Sequence, residues 1–441
     1  MARSCTRLDM PTLTKLVVMG LFTTILAGCG QFGEYLAFCG RQGDLKRAFD
    51  KEPSAELLRE LDPENCFLLV GQVALTKGYE GPILVIAVTD KFHKREIAAE
   101  RILQAPVYCY HAYLPDGQYD LYFFADLDGN GYFDATEVIG QTSGTPIKIS
   151  KTGVNDGLTI DGPQFTLDAN QPATTDLPVK VKVREQSYAY PSLDDEFFDP
   201  KYGKMGLYYP NAMLAHTQSF IFSLEKFDPG KTIVLFVHGI EGTPRDFKYL
   251  VDGLDRTRYQ PCFYFYPSGM PLQQLGSLLA CLLRLLDKTE GFHLNRMIVV
   301  AHSMGGLVAL SALNQLCHDG LPPYLKGYVS FVSPYGGLES AKNAVEKAPV
   351  VVPSWRDVAT ASPFLKHLYR DNACQEMTCC MFFGYKSGES GDGTVTLQSQ
   401  LEPKVHLIAS KSYGFNLTHM GILNDDMVRQ TFNGVLAKLN E

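Results

Sequence analysis

A serine stands where an apolar stretch of the chain changes abruptly into small residues. The stretch Ile298–Ala301 leads to Ser303, and Gly305 and Gly306 then open the helix-like run Leu307–Leu313. This order of strand, serine and helix is typical of a nucleophile elbow, whose sharp turn lifts a serine hydroxyl above the sheet edge. An alanine replaces the first glycine of the usual Gly-x-Ser-x-Gly pattern, which adds one methyl group. The alternative interpretation is a buried strand followed by a serine N-cap.

Two further residues would supply what a nucleophilic serine needs. The hydroxyl is a weak nucleophile until a base takes its proton, and the base needs a carboxylate that fixes its tautomer. His419 follows the last predicted strand, and Asp392 stands between two glycines in a tight loop. Because the acid and then the histidine follow the serine in elbow enzymes, we predict a catalytic triad of Ser303, Asp392 and His419.

Other residues are weaker candidates for the acid and the base. Glu389 is the nearest competitor for the carboxylate. The remaining histidines downstream of the serine stand in a predicted strand or on helix-like segments, namely His406, His318 and His367. A base that must reach a serine at the sheet edge is better placed in a loop, which favours His419.

The oxyanion that forms during acyl transfer needs two backbone donors. One is predicted to be the N–H of Met304, the residue after the nucleophile. The other would come from the loop after the first long apolar strand, and we assign it to the N–H of Ile240. His238 in the same loop is interpreted as a structural residue of the turn.

The elements that must position these residues alternate between strands and helices. Continuous apolar runs are typical of buried parallel strands, and this alternation predicts a parallel sheet with helices on both faces over residues 230–441. The predicted strands are Thr232–Val237, Cys262–Pro267, Met297–Ala301, Tyr328–Ser333, Met381–Tyr385 and Val405–Ile408. The predicted helices include Arg245–Asp255, Leu272–Asp287 and Asp425–Leu439.

The preceding part of the chain has a different pattern. Short runs rich in branched and aromatic residues, separated by Gly, Pro and Asp turns, predict a small β-sandwich-like domain over residues 66–184. Its strands are expected near Phe67–Val73, Pro82–Val88, Val107–Tyr113 and Gln118–Ala125. The polar, aromatic segment 185–229 is predicted to be a linker or a strap.

A calcium-loop motif lies within this β region. Oxygen-bearing side chains recur at loop positions 1, 3, 5, 9 and 12, with glycine at position 6 for the sharp turn. The predicted ligands are Asp126, Asp128, Asn130, Asp134, Glu137 and the carbonyl of Tyr132. The flanks are strand-like, so the loop resembles calcium loops of extracellular β-domains and would hold structural Ca²⁺. An acidic turn without an ion is the alternative.

The second half of the chain resembles α/β-hydrolase lipases, particularly small bacterial lipases with an Ala-His-Ser-Met-Gly-Gly elbow. It is also similar to esterases of the GPI inositol-deacylase type. The resemblance runs from about Gly230 to the C-terminus through the elbow, Asp392, His419 and two further segments, Val237–Ile240 and Val332–Gly337. It implies an α/β-hydrolase fold and serine hydrolase chemistry, with residues 351–368 as part of a cap.

The N-terminus carries a predicted export signal over residues 1–28. Basic residues precede an apolar run that is short for a membrane-spanning helix, and the run ends in Leu26-Ala27-Gly28-Cys29. This tetrapeptide resembles the lipobox of bacterial lipoproteins, which implies lipidation of Cys29 and anchoring to the membrane. Gly30 at the next position favours the outer membrane. A plain secretory signal is the alternative, and residues 29–65 are predicted to be a tether with a short helix.

Composition and cysteine content narrow the remaining possibilities. The chain has 441 residues, of which 45% are hydrophobic, and a net charge of −8, which argues against nucleic acid as a partner. Signal removal and lipidation would leave nine of the eleven cysteines in an oxidising compartment. A local disulfide between Cys374 and either Cys379 or Cys380 is therefore predicted.

Together these features predict a lipid-anchored serine esterase or lipase that needs no cofactor for catalysis. An acyltransferase or phospholipase acting on envelope lipids remains open, as does a non-catalytic surface lipoprotein with a relic hydrolase domain. Apolar cap residues would either form a lid over acyl chains or simply pack the cap. These residues are Val350, Val351, Val352, Trp355 and Phe364.

Overall fold

A seven-stranded sheet forms the centre of the C-terminal half of the molecule. The computed structural model describes residues 29–76, 79–103, 108–142, 144–150, 159–183, 190–217, 220–288, 294–370, 377–406 and 409–441. The sheet strands are β12 (Ile221–Ser223), β13 (Thr232–Val237), β14 (Tyr259–Tyr264), β15 (Met297–His302), β16 (Leu325–Phe331), β17 (Cys379–Gly384) and β18 (Ala409–Phe415). Their order is β12-β14-β13-β15-β16-β17-β18. Only the edge strand β12 runs antiparallel to its neighbour among these pairings.

Helices cover both faces of this sheet because its strands are apolar on both sides. On β13, Leu235 belongs to a core that includes α6 (Leu272–Lys288) and α7 (Met304–Leu316). The flanking Phe236 belongs to a second core, on the opposite face, with α5 (Lys248–Asp252) and α13 (Asp426–Leu439). Successive side chains of a strand point to opposite faces, so a continuous apolar strand fills both cores.

The remaining helices lie before the sheet, in the predicted cap segment and in the segment after Asp392. Before the sheet are α1 (Cys29–Lys51), α2 (Ala55–Leu61), α3 (Pro200–Tyr208) and α4 (Pro210–Thr217). The cap contains α8 (Glu339–Lys347), α9 (Pro353–Val358) and α10 (Pro363–Leu368). Two single-turn helices follow, α11 (Leu397–Gln400) and α12 (Pro403–His406). No helix among the described residues is both long and apolar enough to cross a membrane.

The N-terminal half contains two facing sheets that share one core. One sheet joins β1 (Cys66–Leu75) to β4 (Cys109–Pro115), β9 (Thr159–Asp161) and β10 (Phe165–Leu167). The other joins β2 (Ile83–Thr89), β3 (Glu96–Leu103), β5 (Gly117–Ala125), β7 (Val138–Gln141) and β8 (Ile147–Ile149). A separate pair is formed by β6 (Tyr132–Asp134) and β11 (Lys180–Lys182). The predicted fold class, an α/β-hydrolase fold preceded by an all-β region, is confirmed.

The two halves are joined by a continuous core. Leu68 of β1 and Tyr113 of β4 belong to the same buried cluster as Leu275 and Leu278 of α6. The side chain of Gln274 also donates a hydrogen bond of 2.9 Å to the carbonyl of Cys66. The segment 185–229, predicted to be a linker, contains α3, α4 and β12. The domain boundaries themselves stay a prediction.

Two predictions of local structure were wrong, and one strand was missed. The segment after Cys29 is not a tether, because residues 29–51 form a helix whose Tyr35 and Phe38 are buried against the cap. β3 was not predicted, since its sequence Glu96–Leu103 alternates too little to read as a strand. The expected strand Val405–Ile408 was also wrong. Val405 and His406, its described residues, belong to a helical turn that begins at Pro403. The strand of this region is β18.

The predicted local disulfide was also wrong. Cys379 and Cys380 are both buried free thiols on β17. Because they are consecutive on a strand, Cys379 packs into the core beneath α6 and α7, and Cys380 packs into the core on the other face. Cys374 lies outside the described residues. Cys317, directly after α7, takes part in a disulfide bond.

A strap formed by residues 190–199 is bound to the C-terminal half mainly through hydrogen bonds from Arg245. Arg245 donates hydrogen bonds of 2.9, 3.1 and 2.7 Å to the backbone carbonyls of Leu193, Asp194 and Asp195. Lys248 holds the same strap through an ion pair with Asp194, whose side chain is 67% exposed. Exposed ion pairs contribute little, so the arginine contacts should dominate.

We therefore expect Arg245→Ala to lower the free energy of unfolding by about 2 kcal/mol, because three charge-assisted hydrogen bonds are lost. Lys248→Ala is the matched control and should cost less than about 1 kcal/mol. Urea unfolding followed by tryptophan fluorescence measures both changes. Equal losses in the two variants would contradict the dominance of Arg245.

Candidate active site

Ser303 occupies a strained turn between β15 and α7. Its backbone has φ 53° and ψ −131°, a conformation that costs a residue with a side chain of order 1–3 kcal/mol. Gly305 lets the helix start directly beneath the neighbouring loop, since a Cβ at that position would overlap the carbonyl oxygens of Val237 and His238. The predicted elbow is therefore present in its geometry, with Ser303 only 6% exposed.

The three residues predicted to form the triad meet at the carboxyl edge of the sheet. The Ser303 Oγ lies 2.9 Å from His419 Nε2, and His419 Nδ1 lies 2.7 Å from Asp392 Oδ2. The Asp392 side chain is fully buried, whereas that of His419 retains 13% of its exposure. This arrangement allows a proton to pass from the serine to the imidazole while the carboxylate fixes the tautomer.

The loop after β17 holds the carboxylate of Asp392 in place. Its Oδ1 accepts hydrogen bonds of 2.8 and 2.7 Å from the N–H groups of Thr394 and Val395. This leaves Oδ2 for His419, whose own backbone N–H donates to the Asp392 carbonyl at 3.2 Å. The competing acid, Glu389, is exposed on the same loop and pairs with Lys386.

A second histidine, which the sequence analysis did not assign, supports His419. His302 is 3% exposed, and its Nε2 lies 3.2 Å from the carbonyl oxygen of His419. Burial, reinforced by the neighbouring His419, lowers the pKa of His302 to about 3. The ring is therefore neutral at ordinary pH, and its Nε2–H donates to that carbonyl. Its position inside the elbow motif was visible in the sequence, but its partner was not.

The loop predicted to supply the second oxyanion donor lies against the nucleophile. A Cβ added to Gly239 would stand 3.0 Å from the Cβ of Ser303, so the loop that carries Ile240 passes directly beside the serine. His238 stabilises this loop: its Nδ1–H donates to the Gly239 carbonyl at 2.8 Å, and its Nε2 accepts from the Tyr266 N–H at 3.2 Å. Burial lowers the pKa of His238 to about 4, so the ring stays neutral.

Helix α3 supports the same loop from outside. Gly203 lies so close to the loop that a Cβ would overlap the carbonyl oxygen of Glu241, the residue after Ile240. Glu241 itself has φ 54°, and its N–H donates to Ser268 Oγ at 3.0 Å. The loop is therefore fixed by backbone contacts on both sides, which preorganises its N–H groups.

The apolar cap residues pack inward in this structure. Trp355, Val352 and Phe364 are 0%, 1% and 7% exposed. Trp355 and Val352 share a buried cluster with Tyr35 of α1 and with Tyr208 of α3, and the side chain of Ile240 packs against it. Tyr35 also donates a hydrogen bond of 2.8 Å to the carbonyl of Val350. Of the two interpretations of these residues, the structure shows cap packing.

The calcium-loop motif adopts a compact turn between β5 and β7. Ligand oxygens of Asp126, Asp128 and Glu137 lie within 4.8 Å of one another. Glu137 accepts backbone hydrogen bonds from Leu127 and Asp128, and its carboxylate is buried. Oδ1 of Asp126 is buried without a hydrogen-bond partner.

The other predicted ligands of this loop have mainly local partners. Asp134 accepts from the N–H and the hydroxyl of Thr136, at 2.8 and 2.6 Å. Asn130 accepts from the N–H of Tyr132 at 2.8 Å. The structure therefore brings together three of the predicted side-chain ligands in a way that suits a cation and leaves the others in turn hydrogen bonds.

We expect Gly203→Ala to displace the loop that carries Ile240, because the new methyl group has no space. The rate at which a fluorophosphonate probe labels Ser303 should fall about a hundredfold, as for loss of an oxyanion donor. Gly434→Ala is the matched control, because Gly434 lies on α13 with nothing within 4 Å of an added Cβ. A folded Gly203→Ala protein that is labelled at the normal rate would contradict the inferred role of this contact.

Comparison with known proteins supports the predicted resemblance to α/β-hydrolases. Residues 278–418 match a family model described as an alpha/beta hydrolase of unknown function (DUF915). The matched segment is about a third of the chain and contains Ser303 and Asp392. It ends immediately before His419. No curated protein matches the chain at a significant level.

Several solved structures are similar to about half of the chain. The mature lipase BlEst2 of Bacillus licheniformis has a TM-score of 0.40 and 19% identity, covering 50% of this chain and 98% of its own. Aspergillus fumigatus lipase B has a TM-score of 0.40 and 15% identity, covering 51% of this chain and 57% of its own. The lin2722 gene product of Listeria innocua has a TM-score of 0.38 and 16% identity, covering 47% and 94%.

Proposed function

We propose that this chain is a serine hydrolase that cleaves carboxylic esters, with lipid or acyl esters as its substrates. The observation that carries the proposal is the unbroken line of hydrogen bonds from Ser303 through His419 to Asp392, at 2.9 and 2.7 Å. This line lies beside a preorganised loop of backbone donors. The combination supplies a nucleophile, a base, an orienting carboxylate and an oxyanion site in one place.

The proposed reaction begins when Ser303 Oγ attacks the ester carbonyl carbon. His419 Nε2 takes the hydroxyl proton, and Asp392 stabilises the imidazolium that forms. The carbonyl oxygen gains negative charge, and the N–H groups of Ile240 and Met304 donate to it. When the tetrahedral intermediate collapses, His419 gives the proton to the leaving alcohol, and Ser303 is left acylated.

Water completes the cycle by attacking the acyl-enzyme. His419 now takes a proton from water, and the second tetrahedral intermediate releases the carboxylic acid and restores the serine hydroxyl. The side chain of His419 retains some exposure to solvent, which is consistent with access of water to the base. An alcohol in place of water would make the same site an acyltransferase.

The preference for lipid or acyl esters rests on the predicted anchor. Lipidation of Cys29 would keep the enzyme at a membrane, where acyl esters are concentrated, because acyl chains bind bilayers through their buried CH₂ groups. Residues 1–28 lie outside the described part of the chain, so export and outer-membrane attachment stay predictions. If the enzyme is held at a membrane, phospholipids of the envelope are also candidate substrates, and the enzyme would then be a phospholipase.

The central test is hydrolysis of p-nitrophenyl esters over a series of chain lengths. Ser303→Ala should lower kcat by about 10⁴-fold or more, because the nucleophile is lost. The control Ser311→Ala changes a buried serine on α7 and should retain activity. A rate maximum at long chains supports a lipase, and a maximum at acetate or butyrate supports a small-ester esterase.

Two outcomes of this test would redirect the assignment. Acyl transfer to an added alcohol that outpaces hydrolysis would favour the acyltransferase. A folded wild-type protein without activity, in which Ser303 also fails to react with a fluorophosphonate, would favour the relic hydrolase domain.

The calcium interpretation of the loop 126–137 stays a prediction, and metal addition and removal test it. Calcium chloride should raise the Tm of the wild-type protein and EDTA should reverse the rise, since binding to the native state alone stabilises it. Asp126→Asn should abolish the effect. Asp168→Asn, in an exposed turn of similar geometry, is the control and should preserve it. A Tm that does not respond to calcium would favour the acidic turn without an ion.

A further inference from the structure

A cavity lies between the N-terminal β region and the C-terminal half. Its volume is about 610 Å³, which falls in the range of small-molecule sites. One wall is formed by α2, β3 and β4 of the β region. The other is formed by α4 and by apolar side chains of the catalytic half, among them Phe220, Met270 and Leu278. None of the proposed catalytic residues lines it.

Contacts between the two halves close one side of this cavity. Arg101 of β3 donates a hydrogen bond of 3.0 Å to the carbonyl of Leu214, and its guanidinium stands 6.0 Å from the centre of the Phe220 ring. The imidazole of His111, on β4, packs on the same ring at 4.9 Å between centroids. The cavity is therefore bounded by ordered side chains from both halves.

Polar atoms around the cavity lack partners within the described chain. The Nε of Arg59, the Nδ2 of Asn211 and the Nε2 of His111 are all buried without a hydrogen bond. A buried donor without an acceptor costs about 1–3 kcal/mol, more when it is charged. Arg59 Nε and Asn211 Nδ2 are donors of this kind beside one space, so an occupant with acceptor oxygens would satisfy both, whereas Nε2 of His111 donates or accepts according to its tautomer.

The charges around the cavity favour an anion. Arg59 and Arg101 are half-buried and face one half-buried carboxylate, that of Glu60. At the rim, Glu56 and Glu100 are exposed, and solvent screens them, as it screens the exposed Arg41. Burial lowers the pKa of His111 well below its usual value, so its ring is neutral and adds no charge. The interior therefore carries an excess of one positive charge.

We propose that this cavity binds a small oxyanion-bearing molecule, with its carboxylate or phosphate group on Arg59 and Asn211 and an apolar portion against Phe220 and Met270. Guanidinium groups bind both oxyanions through charge-assisted hydrogen bonds, so the two head groups share one recognition chemistry. A ligand at this place contacts both halves of the molecule and would stabilise their packing. The site is independent of the proposed ester hydrolysis.

Calorimetry and thermal unfolding with two probes test this inference. Inorganic phosphate tests the head group alone, and octanoate tests a carboxylate with an apolar chain; potassium chloride at equal ionic strength is the reference. We expect the wild-type protein to bind at least one probe and to gain Tm with it. Binding of phosphate identifies a phosphate head group, and binding of octanoate alone identifies a carboxylate.

Variants tie the binding to this cavity. Arg59→Gln and the nearly isosteric Asn211→Asp should each weaken binding about tenfold or more, because a donor is lost or a like charge is introduced. Arg47→Gln is the control, since Arg47 is exposed on α1 and pairs with Asp44. Affinity that is unchanged in both cavity variants would show that the probe binds elsewhere and overturn the proposal. So would the absence of binding by either probe to the wild-type protein.

Discussion

The active site depends on one backbone constraint, the left-handed conformation of Ser303. A residue with a side chain adopts it only when its surroundings hold it there, at a cost of order 1–3 kcal/mol. The neighbouring parallel strand β16 holds it from one side, since the Ser303 N–H donates to the carbonyl of Phe331 at 2.9 Å. The immediate start of α7 holds it from the other. This turn sets the direction of the Ser303 hydroxyl, and the positions of His419 and of the loop that carries Ile240 are useful only in relation to it.

Three histidines close to that turn have different functions because their environments differ. His238 and His302 remain neutral because burial lowers the pKa of each ring, and each donates a ring N–H to a backbone carbonyl. His419 has a buried carboxylate on one nitrogen and the serine hydroxyl on the other, and its side chain reaches solvent. Only this third environment suits proton transfer. The same residue type thus stabilises two loops and, in the proposed reaction, would supply the base.

The residues of the candidate site could mostly be predicted from the sequence, whereas the residues that hold them in place could not. The elbow, the glycine-flanked Asp392 and the loop position of His419 are local signals, and the structure brings these residues together as expected. The contact of Gly203 with Glu241 and that of His302 with His419 depend on tertiary packing, which no local pattern reports. The helix Cys29–Lys51 was missed because its mixed charges hide the few buried side chains, such as Tyr35 and Phe38. The predicted pairing of Cys374 with Cys379 or Cys380 rested only on closeness along the chain, and the structure buries both Cys379 and Cys380 as free thiols in the cores on β17.

The core shared by the two halves has a consequence for cooperativity. Side chains of β1 and β4 complete the cluster that buries α6, and Gln274 satisfies the carbonyl of Cys66. Removing the β region would expose an apolar face of α6 and leave the Gln274 amide without its acceptor, so we expect the C-terminal half to be less stable alone. The β region is therefore part of the enzyme's own scaffold, and unfolding of either half should propagate into the other. A substitution on this shared surface is therefore expected to change the stability of both halves.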